Sequence, residues 1–154
     1  MNPCPCGRGN GDNASCDCQS NEIRRYRRKI SGPIADRIAI HLELGHEMND
    51  SIENGTKNMS WTEAKNAVAR VKKWVDNNAG EKKFVSGPPL SEEASELLNS
   101  CRSVLKLSHR GIYHVHDVAM TAALIDDSPV IEVEHIAEAG ASRLFDRQSW
   151  MNPR

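Results

Sequence analysis

The chain has 154 residues, 38% of them hydrophobic and 27% charged, with a formal net charge of −1 and a pI near 6.6. That size bounds it to one modest domain or two small ones, and the near-neutral balance leaves any case for nucleic acid to a local patch. No apolar run approaches the roughly 18 residues of a membrane span, and the amino terminus is polar and rich in cysteine. Neither a span nor a signal peptide is expected, no membrane partner is implied, and the compartment reads as cytoplasmic.

Four of the five cysteines, Cys4, Cys6, Cys16 and Cys18, form two Cys-x-Cys pairs separated by nine residues. Four thiolates on a loop with turn glycines at Gly7, Gly9 and Gly11 can close a tetrahedral zinc site, and a reducing cytosol argues against disulfides. The pair spacing is one residue shorter than the common Cys-x-x-Cys knuckle, so unliganded thiols and disulfides stay open as alternatives. Gly7-Arg8-Gly9-Asn10-Gly11 is not a phosphate loop, because no Gly-Lys-Ser/Thr follows it.

A basic helix is expected next, capped by Ser20 or Asn21 with Glu22 in its first turn. Ile23, Tyr26 and Ile30 share one face and Arg24, Arg25, Arg27, Arg28 and Lys29 cover the rest, a cluster that would attract a nucleic-acid backbone; a solvated or subunit-facing helix side explains it equally well. Gly32-Pro33 breaks the helix, and Asp36-Arg37 leads into a strand in which Ile38, Ile40, Leu42 and Leu44 alternate with Ala39, His41 and Glu43. At the mouth of that strand the planar guanidinium of Arg37 suits a phosphate or carboxylate of a neighbouring surface, the plainer alternative being a surface salt bridge with Asp36.

Residues 45–59 turn polar and lose periodicity, as a linker does. Ser60-Trp61-Thr62-Glu63 is a capping box for a helix with Ala64, Ala67, Val68, Val71 and Val75 inside, running to about Asn77. After a loop over 80–89, Ser91-Glu92-Glu93 opens a second helix with an inner face of Ala94, Leu97, Leu98, Cys101 and Leu105, which makes Cys101 a small core residue rather than a nucleophile. Ser108 caps a third helix, with Ile112, Val115, Val118, Ala119, Ala122 and Ile125 inside, ended by Asp126-Asp127-Ser128-Pro129. An extended piece at Val130-Ile131 leads to a last helix from about Val133, with Ile136, Ala137, Gly140 and Leu144 inside. His109, His114, His116 and His135 read as surface or satisfied histidines, since no acid lies among the first three at helix-face spacing.

Several blocks carry a resemblance. Asn2-Pro3-Cys4-Pro5-Cys6-Gly7, Arg24-Arg25-Tyr26-Arg27, Ile30-Ser31-Gly32-Pro33, Asp36-Arg37-Ile38, Leu107-Ser108-His109-Arg110, and Glu134-His135-Ile136-Ala137-Glu138-Ala139 resemble the magnesium-chelatase-like AAA+ ATPases of the ComM (YifB) group. The resemblance implies that Arg37 is the arginine finger, reaching the nucleotide of the adjacent subunit in a homo-oligomeric ring. It further implies that Arg110 is sensor 2, that Asn2 is sensor 1, and that a cysteine-rich insertion follows Asn-Pro. The Walker A and acidic Walker B elements of that family lie upstream of Asn-Pro-Cys, and this sequence has neither. ATP and magnesium would therefore be held only by a longer parent, in which Met1 corresponds to an interior position. Ala39 stands where the family usually has Asp, and His114 and Met120 where further lid arginines are usual, which puts the competence of a parent in question.

The fold expected is an α-rich α+β fragment. Residues 1–48 would give the cysteine loop, basic helix and one core strand of an AAA+ α/β domain; 49–59 would be a linker; and 60–154 an all-helical lid. Two functions compete: the carboxyl-terminal part of an ATP-driven remodelling motor, with DNA branch migration during transformation one task of that family, and a free-standing zinc-containing module that binds nucleic acid without ATP chemistry.

Overall fold

A computed structural model describes residues 2, 4–8, 16–42, 59–78 and 87–143. The expected linker lies outside these residues except for Met59, as do Glu43, Leu44 and Leu144. Six helices occur among the described residues: α1 (Ser20–Arg27), α2 (Gly32–Ala35), α3 (Trp61–Asn78), α4 (Glu92–Val104), α5 (His109–Ile125) and α6 (Val133–Ala141).

Local chemistry sets the helix starts. Ser60 Oγ accepts the Glu63 N–H at 3.2 Å while Glu63 Oε2 accepts the Ser60 N–H at 2.7 Å, the reciprocal capping box expected for α3. Ser91 Oγ takes the Ala94 N–H at 3.2 Å and Ser108 Oγ takes the Gly111 N–H at 3.0 Å, fixing the first turns of α4 and α5. Lys106 and Asp127, with φ of 52° and 57°, reverse the chain just after α4 and α5. For α1 the N-cap is Gln19, one residue before the pair expected, because Glu22 Oε2 reaches back to the Gln19 N–H at 2.9 Å. The helix also stops at Arg27, so Arg28 and Lys29 lie in the turn that follows.

The core lies among α4, α5 and α6, around Ala94, Val115, Ala119, Ile131, Ile136 and Ala139. Each large aliphatic group there contributes about 1.5–3 kcal/mol by leaving water. Small residues on α5 let the helices approach closely, and a two-residue bridge between Leu90 and Ile131 straps the entry of α4 to the entry of α6. Cys101 is half-buried against this core, as expected, and burial raises its pKa. Met120, at one of the departures from the resembled pattern, is also used in packing: a Cβ on Gly87 would meet its sulfur at 2.2 Å.

Two inner-face assignments need correction. Val68 is 64% exposed because α3 packs chiefly on α5 and buries only a narrow stripe centred on Ala67. Ala137 is exposed because α6 turns the face of Ile136, Ala139 and Gly140 inward.

The expected strand is the larger correction. Residues 38–42 form no named strand, and their one ladder contact is a parallel bridge between His41 and Arg143, with the His41 N–H donating to Ser142 O at 2.7 Å. The period of two survives with inverted sense: Ala39 is half-buried and His41 buried, while Ile38, Ile40 and Leu42 are 41%, 50% and 73% exposed. A strand needs neighbours on its edges and a layer on its apolar face, and the described residues supply neither to the three aliphatic side chains.

Candidate functional site

The amino-terminal loop brings Cys4, Cys6, Cys16 and Cys18 together, with all four sulfurs within 4.8 Å of one another. Cys4 Sγ lies 3.2 Å from Cys6 and 3.6 Å from Cys16, and Cys6 lies 3.5 Å from Cys16. All are free thiols. A tetrahedral ion with bonds of about 2.3 Å separates its sulfurs by roughly 3.8 Å, so little movement would close this set on zinc. Gly7 turns the loop at φ +79°, a value open to glycine, and its N–H returns to Cys4 O at 3.1 Å.

The thiols divide their charge unequally. Burial opposes the Cys4 thiolate, but hydrogen bonds from Cys6, Cys16 and the backbone N–H groups of Cys6 and Gly7 outweigh it and bring its pKa to about 6. Cys18 is favoured by the Cys6 backbone, yet the neighbouring thiols and desolvation together push it up to about 12. One thiolate solvated by its neighbours, with further ionisation opposed by like charge, is a state that a divalent cation relieves.

Asn2 packs on this loop. A Cβ on Gly7 would stand 3.2 Å from Asn2 Nδ2, so the glycine makes room for the amide as well as for the turn. Asn2 itself is exposed.

A second cluster forms where the short helix α2 meets the start of α5. Ser108 Oγ donates to Asp36 Oδ1 at 2.5 Å while accepting the Gly111 N–H, so one hydroxyl both caps α5 and ties it to the Asp36-Arg37 turn. Arg37 follows Asp36 directly and Arg110 sits in the first turn of α5, two residues after Ser108, so the Ser108–Asp36 hydrogen bond ties together the two turns that carry the expected arginines. Both are exposed. Arg37 Nη1 donates to Pro33 O at 2.7 Å, and Asp36 turns to Ser108 instead of to Arg37, so the plain Asp36–Arg37 salt bridge is not formed.

The anchor of this arrangement was not singled out from the sequence. Arg143, fully buried, donates from Nη1 to Ile38 O at 2.5 Å and to Ala39 O at 3.4 Å. It holds the segment after Arg37 onto the chain just past the end of α6. His41 helps from the other side, its Nε2 lying 3.1 Å from Ala35 O. A lone arginine two residues past the end of α6 has no sequence signature for such burial.

The basic cluster stands apart. None of the α1 residues is buried, and Arg24, Arg25, Arg27, Arg28 and Lys29 are all at least partly exposed. Lys29 Nζ lies 5.7 Å from the Tyr26 ring centre. The four histidines read as surface or satisfied divide as follows. His109 is exposed; His116 sits 3.5 Å from Asp117; His135 is buried, accepting the Glu132 N–H on Nδ1 with Nε2 3.4 Å from Asp126; and His114 is half-buried with no partner for Nε2 among the described residues. None joins a metal-ligand group there.

Comparison with known proteins adds the family context. Residues 1–52 match the family described as magnesium chelatase, subunit ChlI, and residues 45–143 match magnesium chelatase, subunit ChlI C-terminal. Competence protein ComM of Haemophilus influenzae is 26% identical over 155 residues, covering 96% of this chain and 30% of the relative. Uncharacterized proteins of Mycobacterium tuberculosis and Mycobacterium bovis are each 26% identical over 149 residues, covering 90% of this chain and 29% of their own length. The chain thus spans under a third of these curated relatives. No solved structure gives a significant match. No described helix is long and apolar enough to cross a membrane.

Proposed function

Because the chain belongs to the magnesium chelatase subunit ChlI family, with its C-terminal region covering residues 45–143, we propose that it works as the carboxyl-terminal portion of a ComM-group AAA+ ATPase. It supplies the arginine finger, Arg37, and sensor 2, Arg110, to nucleotide held by other parts of a homo-oligomeric ring. The observation that carries the reading is the Ser108–Asp36 hydrogen bond, which ties the two arginine-bearing turns to each other. A guanidinium offers fixed positive charge to a transferring phosphoryl group, and Arg110 adds to it the field of the α5 amino terminus. Rotation of α5 would move both arginines together, which suits a lid whose angle follows nucleotide state. ATP and magnesium are bound by residues outside this sequence, and Asn2, held on the cysteine loop, takes the sensor 1 role.

The exposed row of Ile38, Ile40 and Leu42 supports the same reading, since a segment with strand periodicity and an uncovered apolar face fits a sheet completed by further chain. The cysteine set holds zinc in a structural site: four sulfur donors with no position left for a reactive water. DNA is the substrate class for remodelling, because α1 and the turn after it carry a concentrated cationic patch. A free-standing nucleic-acid module accounts for the patch but not for the paired arginine turns. The coding DNA before the Met1 codon tests the assignment: read in frame or after one frameshift, it should encode G-x-x-x-x-G-K-[ST] and then an apolar strand ending in acids. Neighbouring sequence without such motifs in any frame would sink it.

A further inference from the structure

The cysteine loop runs directly into the basic helix, with Cys18 one residue before Gln19, the N-cap of α1. The helix α1 is marginal by itself. It has eight residues and buries none of them, whereas isolated helices shorter than about 12–15 residues are marginal in water. Its charges also oppose one another: Arg24 meets Arg27 at three residues' separation, a like-charge spacing that destabilises a helix, and Arg28 and Lys29 crowd the turn that follows. In its favour are the Gln19–Glu22 capping bond, the partial burial of Ile23, Arg24, Tyr26 and Arg27, and whatever fixes the chain just before it.

We propose that metal bound by Cys4, Cys6, Cys16 and Cys18 acts as the amino-terminal staple of α1, so that metal occupancy controls whether Arg24, Arg25, Arg27, Arg28 and Lys29 form an ordered surface for a nucleic-acid backbone. The inference rests on the metal reading of the cysteine cluster and goes beyond it. Two effects combine. A divalent ion that displaces the thiol protons into solvent fixes Cys18 to a loop whose other end is the buried Cys4, which removes chain freedom where helix nucleation is costly. Four thiolates around one divalent ion also leave a net charge of −2, placed at the positive end of α1. The zinc-loaded set is thus an anionic cap, and five cations follow within eleven residues of Cys18. Removing the ion withdraws anchor and cap together and leaves an eight-residue helix to form with little to nucleate it. The bundle of α4, α5 and α6, with its own core, does not depend on this staple.

The test uses the full chain under reducing conditions, zinc-loaded and after removal of zinc with a strong chelator. Amide hydrogen exchange is read across residues 19–29 and across α4 to α6, and binding to a fluorescent single-stranded DNA is read by anisotropy. Zinc removal should lower protection in residues 20–27 by at least tenfold, leave α4 to α6 unchanged, and weaken DNA binding at least tenfold. Zinc added back should restore both. In the loaded form the slope of log affinity against log salt should not exceed about −3.5, the limit for five cations on a single strand. A variant with Arg24→Gln and Arg25→Gln should keep its zinc and its α1 protection while losing DNA affinity. Equal α1 protection with and without zinc would overturn the staple even if zinc binds. A chain that takes up no zinc would remove the metal reading as well, and zinc-independent DNA binding would remove the control of the surface.

Discussion

Replacing Arg143 by alanine should loosen the whole junction between the Asp36-Arg37 turn and the end of α6. The side chain is fully buried and donates to the carbonyls of Ile38 and Ala39. Hydrogen bonds from a charged donor contribute about 1.5–3 kcal/mol, and the longer of these two counts for less. The stem adds about 0.8 kcal/mol for each buried methylene, and returning the guanidinium to water recovers part of the loss. The net expectation is destabilisation of about 3 kcal/mol, with Arg143→Met, which keeps the stem, losing roughly half to two-thirds of that. Urea unfolding gives the global figure. Exchange of the His41 N–H, bonded to Ser142 O at 2.7 Å, gives the local one, and at about 1.4 kcal/mol per factor of ten it should quicken by about 100-fold. Arg143→Ala within about 0.5 kcal/mol of the parent, the range of ordinary surface changes, with His41 protection unaltered, would refute the reasoning.

Three further outcomes are expected. Metal analysis of chain purified without chelator should find about one zinc, and a Cys16→Ser, Cys18→Ser variant should find little; equal zinc in both would remove the site. The Ser60 N–H holds the Glu63 carboxylate below its usual pKa, so its contribution to the start of α3 should be complete above the unfolded carboxylate range and fade as pH falls through the folded value. Glu63→Gln should abolish that acid-side step in α3 helicity, and an unchanged profile would count against the capping box. Finally, the chain alone should not hydrolyse ATP, since it has neither a phosphate loop nor an acidic magnesium ligand; turnover above background in a preparation free of contaminating ATPase would contradict this.

Local signals in the sequence carried much of the fold. Ser60 with Glu63, Ser91 and Ser108 mark helix starts because a hydroxyl or carboxylate satisfies N–H groups within three residues, an interaction that distant chain does not alter. The cysteine spacing likewise indicated a four-sulfur cluster, since Cys-x-Cys pairs on a glycine loop have few ways to point. What depended on distant partners was less legible. The alternation at residues 38–44 marks a candidate strand, but whether such a segment becomes one is decided by neighbours, and in its described part, residues 38–42, the one ladder contact is with Ser142 and Arg143. Arg143 itself looks like any basic residue near a helix end until the carbonyls of Ile38 and Ala39 arrive from more than a hundred residues away. The resemblance named Arg37 and Arg110, but only the fold showed that Ser108 and Asp36 join their turns.

The most direct test of the central claim places this chain behind the upstream portion of the Haemophilus ComM relative, in one polypeptide, and compares it with its Arg37→Ala variant. Binding of a fluorescent ATP analogue by both reports that the nucleotide site is built. Both should bind the nucleotide with similar affinity, and the variant should hydrolyse ATP more slowly by about 10³-fold, the scale of an arginine finger in phosphoryl transfer. Equal hydrolysis by the two proteins would contradict the claim and leave Arg37 a surface arginine resting on Pro33.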